Sequence, residues 1–84
     1  MDNNLMDNIM RELFHKRSFA FVDRVSLLSL GTNLTMDYVN SAINELITEK
    51  YVQQVDEGVK ITKLGERFCL NGSFHDPNMP LVVE

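Results

Sequence analysis

The chain has 84 residues, 44% hydrophobic and 24% charged, which is enough for one domain with a thin core. Twelve acidic residues against eight basic ones give a net charge of −4, so no bulk basicity advertises a polyanionic partner. This balance excludes a fully disordered chain, a collagen-like repeat and a disulfide scaffold.

No apolar run approaches the roughly 20 residues of a membrane span, so no membrane partner is expected. The opening MDNNLMDNIMRELF has no basic-then-apolar layout of a signal peptide. The one cysteine, Cys69, sits in the apolar run Phe68-Cys69-Leu70. Together these predict a cytoplasmic protein with a buried free thiol.

Residues 3–17 read as a helix. Leu5, Met6, Ile9, Met10, Leu13 and Phe14 form one broad apolar stripe, and Asp2, Asn3 and Asn4 can cap its start. Ser18-Phe19-Ala20-Phe21 reads as a brief strand with Phe19 and Phe21 on one face. A second, shorter helix begins near Asp23, with Val22, Val25, Leu28 and Leu30 as its apolar side. Gly31 stops it and Thr32-Asn33 continue the turn.

A third helix starts at Thr35 as N-cap, with Asp37 in its first turn. Met36, Val39, Ala42, Ile43, Leu46 and Ile47 make its apolar set, and Asp37, Asn40, Ser41, Asn44 and Thr48 lie opposite. Tyr51 to Asp56 and Val59 to Thr62 flank Glu57-Gly58 and read as a hairpin. Thr62 caps a last short helix from Lys63 to about Leu70, with Leu64, Phe68 and Cys69 inward and Asn71-Gly72 at its end. The domain thus spans residues 1–70, and residues 71–84, with both prolines, form an irregular tail.

The order helix, short strand, helix, turn, helix, hairpin resembles the winged helix–turn–helix. The stretch from Val39 to Val52, VNSAINELITEKYV, is similar to the recognition helix and wing entry of small prokaryotic or phage regulators of that family. The stretch Ile61 to Phe68, ITKLGERF, is similar to the family's segment after the wing. The resemblance covers about residues 5–70. It implies an α+β, mostly helical fold with a three-helix core, a two-stranded wing and a short C-terminal helix. Three departures stand out: a longer turn from Gly31 to Val39, Tyr51 where the family has Gly, and no Lys or Arg on the exposed face of the third helix.

The resemblance implies a sequence-specific DNA-binding transcriptional regulator. Its third helix would enter the major groove of double-stranded DNA, with Asn40, Ser41, Asn44 and Tyr38 at base edges. Lys60, Lys63, Arg17, Lys16 and Arg24 would hold the phosphate backbone, and five such contacts predict a log–log salt slope of about −4.5. The alternative is a winged-helix protein-interaction module: an adaptor, an anti-repressor or a phage-type modulator. It is favoured by the acidic Asp56-Glu57-Gly58 tip and by Asp37 and Glu45 on the third helix.

His15 reads as a helix-end cation, and His75 lies beside Asp76 in the tail. Neither has metal-ligand spacing on its own element, and the four glycines are isolated rather than clustered in a phosphate loop. No enzyme activity, metal or cofactor is expected. The wide stripe of the first helix, with Leu81-Val82-Val83, points to a homodimer seam.

Overall fold

Asp2 opens the first helix by accepting the Leu5 amide on its carboxylate at 3.0 Å, and α1 runs over Asn3–His15. The computed structural model describes residues 2–30 and 34–83. The helix stops before the expected residue 17: the Lys16 amide makes the last i→i−4 bond, to the Glu12 carbonyl, and the Arg17 amide closes three residues back onto the Phe14 carbonyl. Leu5, Met6, Ile9, Met10, Leu13 and Phe14 are all buried inside the protomer. The stripe expected to form a homodimer seam is therefore already covered by the chain itself.

The strand expected at Ser18–Phe21 lies further on, at Val22–Asp23 (β1). The Lys60 ammonium donates to the carbonyls of Arg17 and Phe19, so this segment is fastened by a side chain instead of a ladder. Pairing begins where Val22 meets Val59, both side chains being buried.

The second helix, Arg24–Leu30, is a 3-10 helix. Its repeat of three puts Arg24, Leu27 and Leu30 in one row. Leu27 is fully buried and Leu28 and Leu30 partly so, whereas Val25, expected inward, is 61% exposed and Val22 belongs to β1. The Ser26 and Ser29 hydroxyls donate to the carbonyls three residues back, at Asp23 and Ser26, which supports the tighter winding. The expected stop at Gly31 and the turn at Thr32-Asn33 lie outside the described residues.

The third helix, α2, spans Met36–Thr48, with the Thr35 hydroxyl accepting the Tyr38 amide. Val39, Ala42, Ile43 and Leu46 are buried, and Met36 and Ile47 pack at the margin. Lys50, at φ 68°, turns the chain into the hairpin strands β2 (Val52–Val55) and β3 (Gly58–Ile61). The hairpin turn sits one residue earlier than expected. Its left-handed residue is Asp56, at φ 51°, and Gly58 lies within β3 between Val55 and Asp23. Glycine is needed there because a Cβ would stand 2.4 Å from the Val22 carbonyl oxygen and 2.5 Å from the Phe21 ring.

The antiparallel sheet has the order β1-β3-β2. Val22, Val52, Val59 and Ile61 are buried, with α1 touching β3 and α2 touching β2. The fourth helical segment, α3, spans Lys63–Asn71 behind the cap made by the Thr62 hydroxyl on the Gly65 amide. Cys69 is fully buried and Phe68 partly, but Leu64, expected inward, is 45% exposed. Gly65 holds the inward position instead, one turn before Cys69, which rotates Leu64 outward.

The tail is irregular, as its composition predicts, yet docked. Phe74 joins Phe68 at 4.6 Å between ring centroids, and the Leu81 and Val82 amides both donate to the Cys69 carbonyl. Val82 is buried and Val83 exposed. The chain is thus an α+β fold. Among the described residues, no helix is long and apolar enough to cross a membrane.

Candidate functional site

With Val39 facing the core, a helical step of about 100° puts Asn40 and Asn44 on one flank of α2 and Tyr38 on the other. The contacts follow this division. On the Asn flank, Arg24 reaches across from the 3-10 helix. Its Nη1 donates to Asn40 Oδ1 at 3.0 Å and Asn44 Oδ1 at 3.3 Å, and its Nη2 to Gln54 Oε1 on β2 at 2.6 Å. One guanidinium therefore joins three segments into a single polar strip. Arg24 gets there because it shares a row with Leu27 and Leu30, so burying those leucines fixes its direction.

On the opposite flank, the Tyr38 hydroxyl donates to Asp2 Oδ2 at 3.1 Å. The Leu5 amide, aided by Tyr38, holds the Asp2 carboxyl below its ordinary range, and the bond to Asp2 raises the Tyr38 phenol. Tyr38 is thus tied to the start of α1 and does not share a surface with the asparagines. Ser41 is exposed between the flanks.

Two of these placements extend the sequence reading. Arg24, expected to serve as a phosphate contact, instead supplies the cation that α2 itself lacks. Gln54 carries no distinguishing mark in the sequence of its strand. The available signal was the spacing of Arg24, Leu27 and Leu30, which is legible only when the segment is read with a period of three.

The other basic residues are largely engaged. Lys60 is committed to the Arg17 and Phe19 carbonyls. Lys16 pairs with Glu12 at 2.6 Å. Arg17 donates to the Phe14 carbonyl, lies 4.3 Å from the Phe14 ring centroid and approaches Glu66. Lys63 approaches the same Glu66 at 3.9 Å while remaining 91% exposed. At the hairpin end, Asp23 and Val55 flank Gly58, so Asp23, Asp56 and Glu57 form an acidic corner.

A second polar cluster ties the tail to α1. Asp7 is buried, and its carboxylate accepts the Phe74 amide at 2.7 Å, the His75 amide at 3.3 Å and His75 Nδ1 at 2.8 Å. Ser73 Oγ also meets His75 Nδ1, at 3.2 Å. A serine–histidine–aspartate relay uses opposite ring nitrogens for the two partners. Here both approach the same nitrogen and Ser73 is buried, so the cluster is a fastening. Among the described residues, no three metal-ligating side chains gather in one place.

No protein-family model, curated protein or solved structure matches the chain.

Proposed function

We propose that this chain is a winged helix–turn–helix domain that binds double-stranded DNA as a transcriptional regulator. In this reading α2 is the recognition helix and β2–β3 the wing. The observation that carries it is the strip formed by Arg24, Asn40, Asn44 and Gln54. It places a guanidinium and three amide side chains along one edge of the helix, the residue types that read base edges in a major groove. Ser41 lies beside the strip on the exposed ridge.

Phosphates would be met from the flanks, by Lys63, which is 91% exposed, and by Lys16 and Arg17, whose surface ion pairs with Glu12 and Glu66 exchange readily for a phosphate. Lys60 is spent on carbonyls and Arg24 on the strip, so three phosphate contacts predict a salt slope of about −2.7, shallower than the sequence alone implies. With the α1 stripe covered, the binding unit in this reading is the protomer.

A second reading is favoured by the acidic corner of Asp23, Asp56 and Glu57, which phosphates would repel. It makes the domain an interaction module for a basic protein surface. Binding to a random-sequence duplex pool at low and near-physiological salt separates the two. Retention with a salt slope of about −2.7 supports the regulator. No retention at low salt removes it and leaves the interaction module.

A further inference from the structure

We infer that the strip on α2 selects guanine over adenine in the DNA it contacts, because Arg24 holds the amide oxygens of Asn40, Asn44 and Gln54 toward itself and leaves their NH2 donors turned away from it. The inference rests on the duplex-binding reading and specifies what that site would read.

The Arg24 guanidinium has five N–H donors and no acceptor. Any amide end facing it must be the oxygen. Asn40 Oδ1, Asn44 Oδ1 and Gln54 Oε1 all face Arg24, so their NH2 groups point away from it. Among the described residues, none of these three NH2 groups has a protein partner, and two N–H groups of Arg24 are likewise uncommitted. Asn44 and Gln54 are exposed and Asn40 is partly so, which leaves the donors accessible.

An asparagine pairs with adenine by using both ends of its amide: the NH2 donates to N7 and the oxygen accepts from N6–H. Here one lone pair of each oxygen is held by Arg24, so turning that oxygen to N6–H competes with the guanidinium. Guanine presents two acceptors, N7 and O6, on the same edge. A strip of donors matches it without breaking any bond to Arg24. An unpartnered asparagine amide suits adenine; the position of Arg24 turns Asn40 and Asn44 toward guanine instead.

The same donors could instead meet phosphate oxygens, and the test separates these sources. A randomised duplex pool is selected on the full chain and sequenced, in parallel with Arg24→Met and Asn44→Ala. The expected result is guanine enrichment at contacted positions on the order of tenfold. Arg24→Met keeps an apolar stem and releases the amide oxygens, so its preference should move from guanine toward adenine. Asn44→Ala, an exposed helical site that tolerates alanine, should lose the preference at one position while the fold persists. Retention of duplexes with adenine enriched, or with no base preference, overturns the inference while duplex binding stands. Failure of any duplex to be retained at low salt overturns both.

Discussion

Asp7 and His75 stand 68 positions apart in the chain and 2.8 Å apart in the fold. Asp7 breaks the apolar run between Met6 and Ile9, yet it points inward and is 3% exposed. Its burial is tolerated because the carboxylate accepts two backbone amides and a ring nitrogen from the tail. Asp7→Ala leaves the Phe74 and His75 amides without this acceptor and should cost about 1–3 kcal/mol. The loss is expected to appear as a lower denaturant midpoint. Hydrogen exchange should also quicken at Phe74, His75, Leu81 and Val82 together, because these amides share one docked segment. Tail amides that stay protected in the variant would show that the packing of Phe74 and Val82 holds the tail without Asp7.

The contrast between Asp7 and its neighbours shows what was legible in the sequence. The apolar stripe of α1 is fully buried and the N-caps Asp2, Thr35 and Thr62 act where expected, because periodicity and capping are local properties. Long-range polar contacts have no local signature. Nothing around Asp7 distinguishes it from an exposed helical aspartate until the tail is folded back. Arg24 is a related case. Its place on the α2 face depends on a 3-10 winding that the sequence reading replaced with an ordinary helix. The hairpin turn slipped by one residue for another non-local reason: Gly58 is required by the approach of β1, not by the turn.

Gly65 is the inward residue at the start of α3 and lies against the Tyr51 backbone. A Cβ there would stand 2.2 Å from the Tyr51 carbonyl oxygen and 2.7 Å from Ile61 Cγ1. The first of these is backbone and cannot rotate away. Gly65→Ala should therefore destabilise by about 1–3 kcal/mol despite the better helix propensity of alanine. Chemical denaturation of the variant checks the sign: a gain in stability would mean that α3 moves freely off the sheet.

Cys69 is fully buried, and its sulfur faces the Met10 carbonyl at 3.9 Å. Burial, reinforced by the negative charge of Asp7, pushes the thiol up to about 12 from 9.0. The folded chain thus keeps the proton over a range where the unfolded chain has released it. Stability should fall as pH rises above about 9, by up to about 1.4 kcal/mol per pH unit until the folded thiol itself titrates near 12. Cys69→Ala removes this component, so its stability should be flatter than that of the parent over that range. The native thiol should also react slowly with an aqueous disulfide reagent at neutral pH and rapidly once the chain is unfolded. Equal reaction rates in the two states would contradict the burial.

Lys60 and Lys63 differ in what holds them: the first is fixed to two carbonyls, the second is open to solvent. Its position in the wing suggested a phosphate contact, but its ammonium donates to the carbonyls of Arg17 and Phe19 and holds the segment between α1 and β1. Replacing it with alanine removes a charge-assisted donor from two carbonyls, a loss of about 1.5–3 kcal/mol in stability. A phosphate-binding lysine behaves differently: its loss weakens duplex binding for all sequences and flattens the salt slope by about 0.9. Lys60→Ala should therefore lower the denaturant midpoint and leave the salt slope of duplex binding unchanged. Lys63→Ala should do the reverse, since Lys63 is 91% exposed and meets Glu66 only at 3.9 Å. Measuring both variants by denaturation and by a salt titration of binding tests the assignment in two independent readouts. A flattened slope for Lys60→Ala would make its ammonium a phosphate contact under the proposed duplex binding.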